Sequence, residues 1–324
     1  MPAIERAARH PNWVGKLIPE HLYAPLIDAR IYAATCLPQI TTSKYKREEA
    51  MAVKNIGATV HVQRAPIIHT QKYVKGGEIE IDPSIGDGFE LIINRANTWN
   101  KFHDLIDATG SPHKNLTSIE LSAAGDTEAV DMETECFGEW ANFPDANNVG
   151  NTAGFQTHQL VLGTIDHPVI LSKDNAVSYF MQFGTLFDEV NLTDRNGTLS
   201  VVMPPAASLL FRQSAPVIDS SQSGVKSSLQ TRLFRKSYEG IGDLYTSTLL
   251  PSPASGVFPI LALRADGLAF FAKNLQTRAN RELEKTFGTL SSGVYVYDWN
   301  VIRPEAIAIG YVKLSMPTIT VDNG

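Results

Sequence analysis

Two runs near the C-terminal end of the chain carry apolar or aromatic side chains at every position. The runs are residues 294–297 (VYVY) and residues 306–309 (AIAI), and Arg303, Pro304 and Glu305 lie between them. A strand that is apolar on both faces is usually covered on both faces. Because Pro304 has no N–H to donate to a sheet, it is expected to mark a corner between two strands. The pattern therefore predicts a buried β-hairpin within an α+β domain.

A long helix is predicted over residues 117–142, where apolar residues recur at spacings of three, four or seven. Its apolar stripe consists of Leu116, Ile119, Ala123, Val130, Phe137 and Ala141. A second, amphipathic helix is predicted over residues 174–190. Pro204 and Pro205 are expected to start a short helix, since proline suits the first helical turn. Residues 266–275 are compatible with one more short helix.

The other sides of the long helix carry seven carboxylates and neither Lys nor Arg. Like charges four residues apart on a helix repel each other by about 0.3 kcal/mol per pair. One interpretation is a solvated helix face. Another is that the acids, with Glu128, Glu133 and Glu135 as the intersubunit contacts, meet basic groups of an arm or a neighbour. Metal binding is the third interpretation, and it is disfavoured because the acids lack the dense loop spacing of a calcium site.

Residues 57–102 contain alternating apolar and polar positions, which predicts a long two-stranded β-ribbon. Val60 and Val62 belong to one strand, and residues 89–93 form a further apolar run. The residues expected to contact a neighbouring subunit lie near the tip, and they are Lys72, Tyr73, Lys75, Gly76 and Gly77. An isolated two-stranded ribbon is only marginally stable in water. The ribbon is therefore expected to lie on another molecule.

Residues 1–50 contain five prolines and several large apolar side chains without a sustained helical period. Such a segment cannot form a core of its own, and its apolar content disfavours disorder. It is predicted to be an arm that packs on the domain or on a neighbouring subunit, with Arg6, Arg9 and Trp13 among its contacts. We expect the arm to matter more for assembly than for folding, so that removal of residues 1–40 leaves the remainder folded.

The composition of the chain restricts the classes of function that it can have. The chain has 324 residues, of which 43% are hydrophobic and 19% are charged, and its formal net charge is -6. This balance argues against a dedicated nucleic-acid binder, which would carry a basic surplus. It does not exclude a container for nucleic acid, because packaged DNA is better held by a neutral or acidic wall that does not bind it tightly. No run of about eighteen apolar residues occurs, so neither a transmembrane helix nor a membrane partner is expected.

The sequence lacks the motifs of the common catalytic and metal sites. Its two cysteines, Cys36 and Cys136, do not have the spacing of a zinc site, and both thiols are expected to be free. The nucleophile elbow, the P-loop and the dinucleotide-binding glycine motif do not occur. We therefore predict no catalytic residue, no metal site and no cofactor, while an enzyme without a recognisable motif stays an alternative.

Six segments, read in chain order, carry a family resemblance. They are residues 57–60, residues 91–107, the acidic helix, residues 197–205 with Pro204 and Pro205, residues 240–251, and the motif Arg303-Pro304-Glu305-Ala306. Together they resemble successive parts of the major capsid proteins of tailed phages, which have the Hong Kong 97-type fold. One departure is Ala58, where the family usually has Asp. The resemblance covers roughly residues 55–314.

The resemblance implies an α+β subunit with four parts. These are an N-terminal arm (1–54), an extended β-ribbon loop (55–105), a peripheral domain with the spine helix and the C-terminal β-hairpin (106–154 and 291–324), and an axial domain (155–290). The implied function is self-assembly, as hexamers and pentamers, into the icosahedral shell that encloses a tailed phage's double-stranded DNA, without sequence-specific DNA binding. The implied place is the virion capsid, assembled in the bacterial host cytoplasm, with portal, scaffolding and cement proteins as candidate partners. An encapsulin-type nanocompartment shell is an alternative, and so is a small soluble enzyme.

Overall fold

The computed structural model describes the parts of the chain that form its sheets, helices and core. These are residues 36–41, 53, 55–63, 72, 88–104, 116–140, 160–189, 199–214, 237–238, 242–265, 267–280 and 288–315. Their helices are α1 (Leu37–Ile40), α2 (Leu116–Trp140), α3 (Ala176–Glu189) and α4 (Pro205–Gln213). Their strands are β1 (Thr59–Gln63), β2 (Gly88–Ile92), β3 (Arg95–Asp104), β4 (Val169–Leu171), β5 (Leu199–Met203), β6 (Ser237–Tyr238), β7 (Gly242–Thr246), β8 (Val257–Arg264), β9 (Leu268–Asn280), β10 (Gly288–Val301) and β11 (Ile307–Leu314).

The described strands form three sheets. β1 and β2 pair antiparallel as the base of the ribbon. β3, β10 and β9 form a three-stranded sheet in that order, and the six-stranded sheet has the order β4-β11-β8-β5-β7-β6. Helices and mostly antiparallel strands are thus combined in one chain, and the predicted α+β class is confirmed.

Two cores lie on opposite faces of the three-stranded sheet, because successive side chains of a strand point to opposite faces. On one face, Tyr295 and Tyr297 of β10 pack with the fully buried Phe137 and Trp140 of α2. On the other face, Val296 packs with the buried side chains of the ribbon base. That cluster contains Val60, Val62, Leu91, Ile93, Ala269 and Phe271. The base of the ribbon is therefore anchored in its own subunit.

A third core lies between the six-stranded sheet and the helices α3 and α4. Phe180, Phe183 and Phe187 of α3 are completely buried, and the ring of Phe180 meets Phe211 of α4 edge-on at a centroid distance of 5.3 Å. Both helices were predicted from sequence and both are confirmed. Pro205 stands in the first turn of α4, where its missing N–H leaves no intrahelical bond unmade.

The predicted C-terminal hairpin is wrong, although both of its strands exist. β10 pairs with β9 over twelve residue positions and with β3 on its other edge, whereas β11 pairs with β8 and β4 in the six-stranded sheet. The corner at Pro304 is confirmed as a short 3-10 turn over Pro304–Ala306. The backbone N–H groups of Ile302 and Arg303 both donate to the carbonyl of Gly267. This corner therefore passes the chain from one sheet to the other.

Residues 266–275 do not form the suggested helix, because β9 starts at Leu268 and continues to Asn280. All side chains from Leu268 to Ala272 are buried. A short apolar run has no period by which a buried strand can be distinguished from a buried helix. Hydrogen bonding to the long strand β10 stabilises the strand conformation of this segment over the helical one.

The buried face of α2 differs from the predicted stripe. Val130 is 48% exposed, whereas Met132, Cys136 and Trp140 are completely buried and Phe137 is buried as predicted. Leu116, Ile119 and Ala141 lie outside the side chains that the structure describes. The buried face also contains two carboxylates, those of Glu128 and Glu133. A prediction that follows only the apolar residues places such charged positions on the surface. This is why the sequence pattern selected the wrong side of part of the helix.

The last part of the predicted arm belongs to the subunit core. Leu37 and Ile40 of α1 are completely buried against the core beneath α2, and the backbone N–H of Cys36 donates to Glu133 Oε1 of α2. Removal of residues 1–40 would therefore delete two core side chains, so we expect it to destabilise the remainder as well as to affect assembly. Residues 1–35 lie outside the described residues.

The ribbon ends earlier in the chain than the predicted loop over residues 55–105. β1 and β2 pair from Thr59 opposite Ile92 to Gln63 opposite Gly88. After Asn94 the chain enters β3, which pairs with β10 from Arg95 opposite Tyr297 to Asp104 opposite Gly288. β3 is therefore part of the three-stranded sheet, because it finds a ten-residue partner there.

Gly310 allows β11 to pass close beneath α3, and we expect Gly310→Ala to lower the free energy of unfolding by about 2 kcal/mol. A Cβ at this position would clash with the Tyr179 hydroxyl and lie 2.9 Å from Phe183 Cζ. That hydroxyl donates a 2.9 Å hydrogen bond to the Leu162 carbonyl, so it is not free to move. Urea unfolding of the unassembled subunit would measure the change.

Gly138→Ala is the matched control for this prediction. A Cβ at this helical position of α2 has no neighbouring atom within 4 Å, and alanine is the better helix former by about 1 kcal/mol. The control should therefore stabilise the subunit. If Gly310→Ala were neutral, the close contact between β11 and α3 would be refuted.

Candidate functional site

Arg95 joins the long helix α2 to the three-stranded sheet. It is the first residue of β3, next to the point where the chain leaves the ribbon. Its Nε lies 3.4 Å from Asp298 Oδ1, its Nη1 lies 3.5 Å from Glu135 Oε2, and its Nη2 donates to Glu139 Oε1. Its guanidinium carbon also lies 4.1 Å from the centre of the Trp299 ring. One side chain therefore contacts three carboxylates and an aromatic face.

Neutral donors on β10 hold the same carboxylates. Tyr297 Oη donates to Glu135 Oε2 and Trp299 Nε1 donates to Glu139 Oε2, both over 2.8 Å. The two aromatic rings stack on each other with a centroid distance of 6.0 Å. Burial lowers the pKa of the Arg95 guanidinium, but the hydrogen bond and charges of the surrounding carboxylates outweigh burial and raise it. The network thus fixes α2 on the sheet through charge and hydrogen bonds together.

An open cleft of about 540 Å³ lies beside this network, between β3 and α2. Asn97 lines it from the sheet, and Glu128, Asp131 and Glu135 line it from the helix. Glu128 is only 3% exposed, and its Oε2 has no hydrogen-bond partner. Burial raises the pKa of Glu128 to about 7; the hydrogen bond from Asn97 opposes the rise, and the charges of Asp131 and Glu135 add to it. The cleft is therefore acidic and contains one unsatisfied carboxylate oxygen.

The acids predicted to touch a neighbour have unequal positions. Glu128 and Glu133 are 3% and 7% exposed in the subunit, so neither stands on an open helix face, and their role as intersubunit contacts stays a prediction. They are covered because α2 packs on the sheet with the side that carries them. Glu135 is half exposed, but it is held by Arg95 and Tyr297.

The other predicted contact residues are mostly outside the described residues. Lys72 is described and exposed. Tyr73, Lys75, Gly76 and Gly77 of the ribbon tip, and Arg6, Arg9 and Trp13 of the arm, fall outside the description. Their roles therefore stay predictions.

The motif residues behind the resemblance lie at two corners of the chain. Pro204 is the buried residue that precedes α4, and Pro205 starts that helix. Pro304 starts the 3-10 turn between β10 and β11, where Arg303 and Glu305 are half-buried. These residues direct the chain at the ends of strands.

Sequence reasoning did not identify Arg95, Asn97 or Asp298. A signal was present, because a helix with seven acids and no base is favoured by cationic partners elsewhere in the fold. Arg95 and Asn97 are two residues apart on one strand, so they share the face that meets α2. The missing information was which strand lies beside the helix.

The described residues were also compared with the requirements of a metal centre and of a membrane-spanning helix. No group of three or more His, Cys, Asp or Glu residues within the described parts of the chain is placed to hold a metal ion. Among the described helices, none has the length and apolar character needed to cross a bilayer.

Comparison with known proteins identifies the fold. No protein-family model matches the chain, and no curated protein matches it. A solved structure of Mycobacterium phage Che8 has 18% sequence identity and a TM-score of 0.52, over 82% of this chain and 89% of that chain. The capsid of Ralstonia phage GP4 has 10% identity and a TM-score of 0.50, over 82% of this chain and 86% of that chain. The chain therefore has the Hong Kong 97-type capsid fold that its motifs predicted.

Proposed function

We propose that this chain is the major capsid protein of a tailed phage, and that its function is structural rather than catalytic. Many copies assemble with themselves, as hexamers and pentamers, into a closed icosahedral shell around double-stranded DNA. The observation that supports this proposal is the capsid fold, which includes the ribbon base, the long helix α2 and both larger sheets. The net charge of -6 suits a wall that encloses DNA without binding its sequence.

Each part of the subunit has a role in this proposal. The ribbon, whose base is the pair β1 and β2, reaches over a neighbour, where another chain can satisfy its exposed strand edge. The arm (1–54) adds contact area beyond the core segment at α1. The peripheral domain (106–154 and 291–324) and the axial domain (155–290) meet their equivalents around the symmetry axes. Closed symmetry multiplies modest contacts, so the whole shell is stable while single contacts stay reversible.

The proposed location is the virion capsid, after assembly in the cytoplasm of a bacterial host. Portal, scaffolding and cement proteins are the further partners that such a shell would use. The proposal involves neither a membrane nor a cofactor.

Particle size tests the proposal directly. The chain would be expressed in bacteria, sedimented by analytical ultracentrifugation and imaged by negative-stain electron microscopy. We expect closed particles, or rings of five and six subunits. A small particle that does not assemble with crowding agents or a scaffolding protein, and that turns over a substrate, would instead identify an enzyme.

The content of the particles separates two kinds of shell with this fold. A phage capsid filled in an infected host contains double-stranded DNA that nuclease cannot reach. An encapsulin-type nanocompartment contains a copurifying cargo protein. Nuclease treatment followed by analysis of the protected content would therefore decide between the two.

We expect that replacing residues 71–77 with a short Gly-Ser turn leaves a folded subunit that does not form shells. The tip is distant in sequence from the buried anchor of the ribbon, in which Val60, Val62 and Leu91 are covered, so the core should survive. A loop of seven Gly and Ser residues is the control, because it keeps the reach of the ribbon and removes only its side chains. Circular dichroism would report folding and sedimentation would report assembly. Normal shells from the short variant would refute a role for the tip.

A further inference from the structure

The unsatisfied oxygen of Glu128 is the starting point for a binding site in the cleft between β3 and α2. The Glu128 side chain is almost completely buried, and its Oε2 accepts no hydrogen bond. It nevertheless lines an open cleft rather than a closed core. A buried carboxylate oxygen without a hydrogen-bond partner lowers the stability of the folded subunit. A donor that enters the cleft from outside would remove that cost.

The charge of the cleft selects a cation as this donor. Glu128, Asp131 and Glu135 line it, and neither Lys nor Arg is among its described lining residues. The nearby Arg95 is already engaged by Glu135, Glu139 and Asp298. One guanidinium therefore faces three carboxylates in the network, and the cleft beside it adds Glu128 and Asp131.

The shape of the cleft favours an organic cation over a metal ion. Its volume of about 540 Å³ is large and open, whereas a calcium ion needs oxygen ligands that converge to about 2.5 Å. The described residues contain no group of three or more acids, histidines or cysteines in such an arrangement. A long side chain with a terminal ammonium or guanidinium group can instead donate to several separate carboxylates.

The cleft lies at a free edge of its sheet. β3 is the outer strand of the three-stranded sheet, paired only with β10 among the described strands, and its Ala96 and Thr98 are exposed at the cleft. A side chain can therefore reach the cleft from a neighbouring molecule without crossing the core.

We propose that this cleft receives a Lys or Arg side chain from a second copy of the chain. The inference rests on the proposed function, because in a shell the surface of each subunit is bordered by copies of itself. The cation completes the hydrogen bonding of Glu128 and neutralises part of the acidic cluster. The site is therefore an assembly contact, which stays unfilled in a single subunit.

The protonation of Glu128 connects this contact to pH. The groups that face it are Asp131 and Glu135 of α2, Asn97 of β3 and Tyr297 of β10. Its raised pKa of about 7 means that the empty site is half protonated near neutral pH. A bound cation favours the charged carboxylate and so releases the proton. Assembly should accordingly strengthen as the pH rises through about 7 and weaken as the pH falls below it.

The test compares neutral variants of the cleft with wild-type protein. Glu128→Gln combined with Asp131→Asn keeps the side-chain shapes and removes two negative charges. The matched control is Asp174→Asn combined with Asp188→Asn, which removes two charges from exposed positions near α3. Shells and free subunits would be separated by sedimentation over a series of protein concentrations. The measurements would be made at about pH 8 and about pH 6, and at about 0.1 M and about 1 M salt.

We expect the cleft variant to need about tenfold more protein than wild type to form shells at about pH 8. Its dependence on salt and on pH should be smaller than that of wild type, and the control should behave as wild type. The melting temperature of the unassembled variant should be unchanged or higher, because an unpaired buried charge has been removed.

Four results would overturn the proposal. Equal assembly of the cleft variant and wild type would show that the cleft receives no cation. A lower melting temperature of the unassembled variant would assign the occupant to the same chain. Loss of wild-type assembly in EDTA, with recovery on adding calcium or magnesium, would assign the site to a metal ion. A wild-type chain that forms no shell under any condition would refute the proposed function and this contact together, whereas the first three results leave the proposed function intact.

Discussion

Replacing Leu37 and Ile40 together by alanine is expected to lower the free energy of unfolding of the subunit by about 5 kcal/mol. Both side chains are completely buried in the core under α2. Each truncation removes apolar contacts and leaves a cavity, which costs about 2–5 kcal/mol for a buried Leu or Ile. Since most small domains are stable by only about 5–15 kcal/mol, the double variant should be close to unfolded. Urea unfolding of the unassembled subunit, followed by circular dichroism, would measure this.

The control for this prediction lies in the same helix. Gln39 is exposed, so Gln39→Ala should change the stability by less than about 0.5 kcal/mol. Chain truncation gives an independent check, because a protein that starts at residue 35 keeps both core side chains and one that starts at residue 42 loses both. If the shorter protein folded as stably as the longer one, α1 would not be part of the core.

The second large effect is expected for Arg95→Met, which should destabilise the subunit by about 3 kcal/mol. The change leaves Glu135, Glu139 and Asp298 without their shared cation, while the methionine keeps much of the apolar contact with Trp299. The side chain of Arg95 is 32% exposed, so water screens part of the lost attraction, and we expect the lower end of the range for buried ion pairs.

Two further variants show whether the loss of charge causes the destabilisation expected for Arg95→Met. Lys101 lies on the same strand and is exposed, so Lys101→Met should have little effect. Adding Glu139→Gln to Arg95→Met should recover part of the loss, because it removes one of the carboxylates left without a cation. Equal stability of Arg95→Met and wild type would show that the network does not hold α2 on the sheet.

These two groups of contacts explain how one helix can serve both the subunit and the shell. α2 is fixed on one side by Phe137, Trp140 and the side chains of α1. It is fixed along its acidic side by Arg95 and the aromatic donors of β10. The cleft around Glu128 and Asp131 has no Lys or Arg among its described lining residues. Stability and proposed assembly therefore depend on different acids of the same helix.

The candidate site was only partly predictable from sequence. The acidic helix was evident from residues 117–142, and pairing of its acids with cationic partners was one of three interpretations of it. The position of Arg95 was not evident, because it depends on β3 lying beside α2, and those elements are brought together by pairing with β10. Glu128 and Glu133 were assigned to the surface because carboxylates are rarely buried. In the fold, Asn97 and the backbone N–H of Cys36 supply donors that allow their burial.

The sequence by itself determined the elements that depend on local chain chemistry. Helical periodicity identified α2 and α3, proline in the first turn identified α4, and the corner at Pro304 followed from its missing N–H. Tertiary structure alone decided the strand partners: β10 and β11 belong to different sheets, and Leu268–Asn280 is a strand rather than a helix. It also decided that Leu37 and Ile40 enter the core. The physical reason is that pairing and burial are set by contacts between distant residues, whereas a local pattern records only which conformations a segment can adopt.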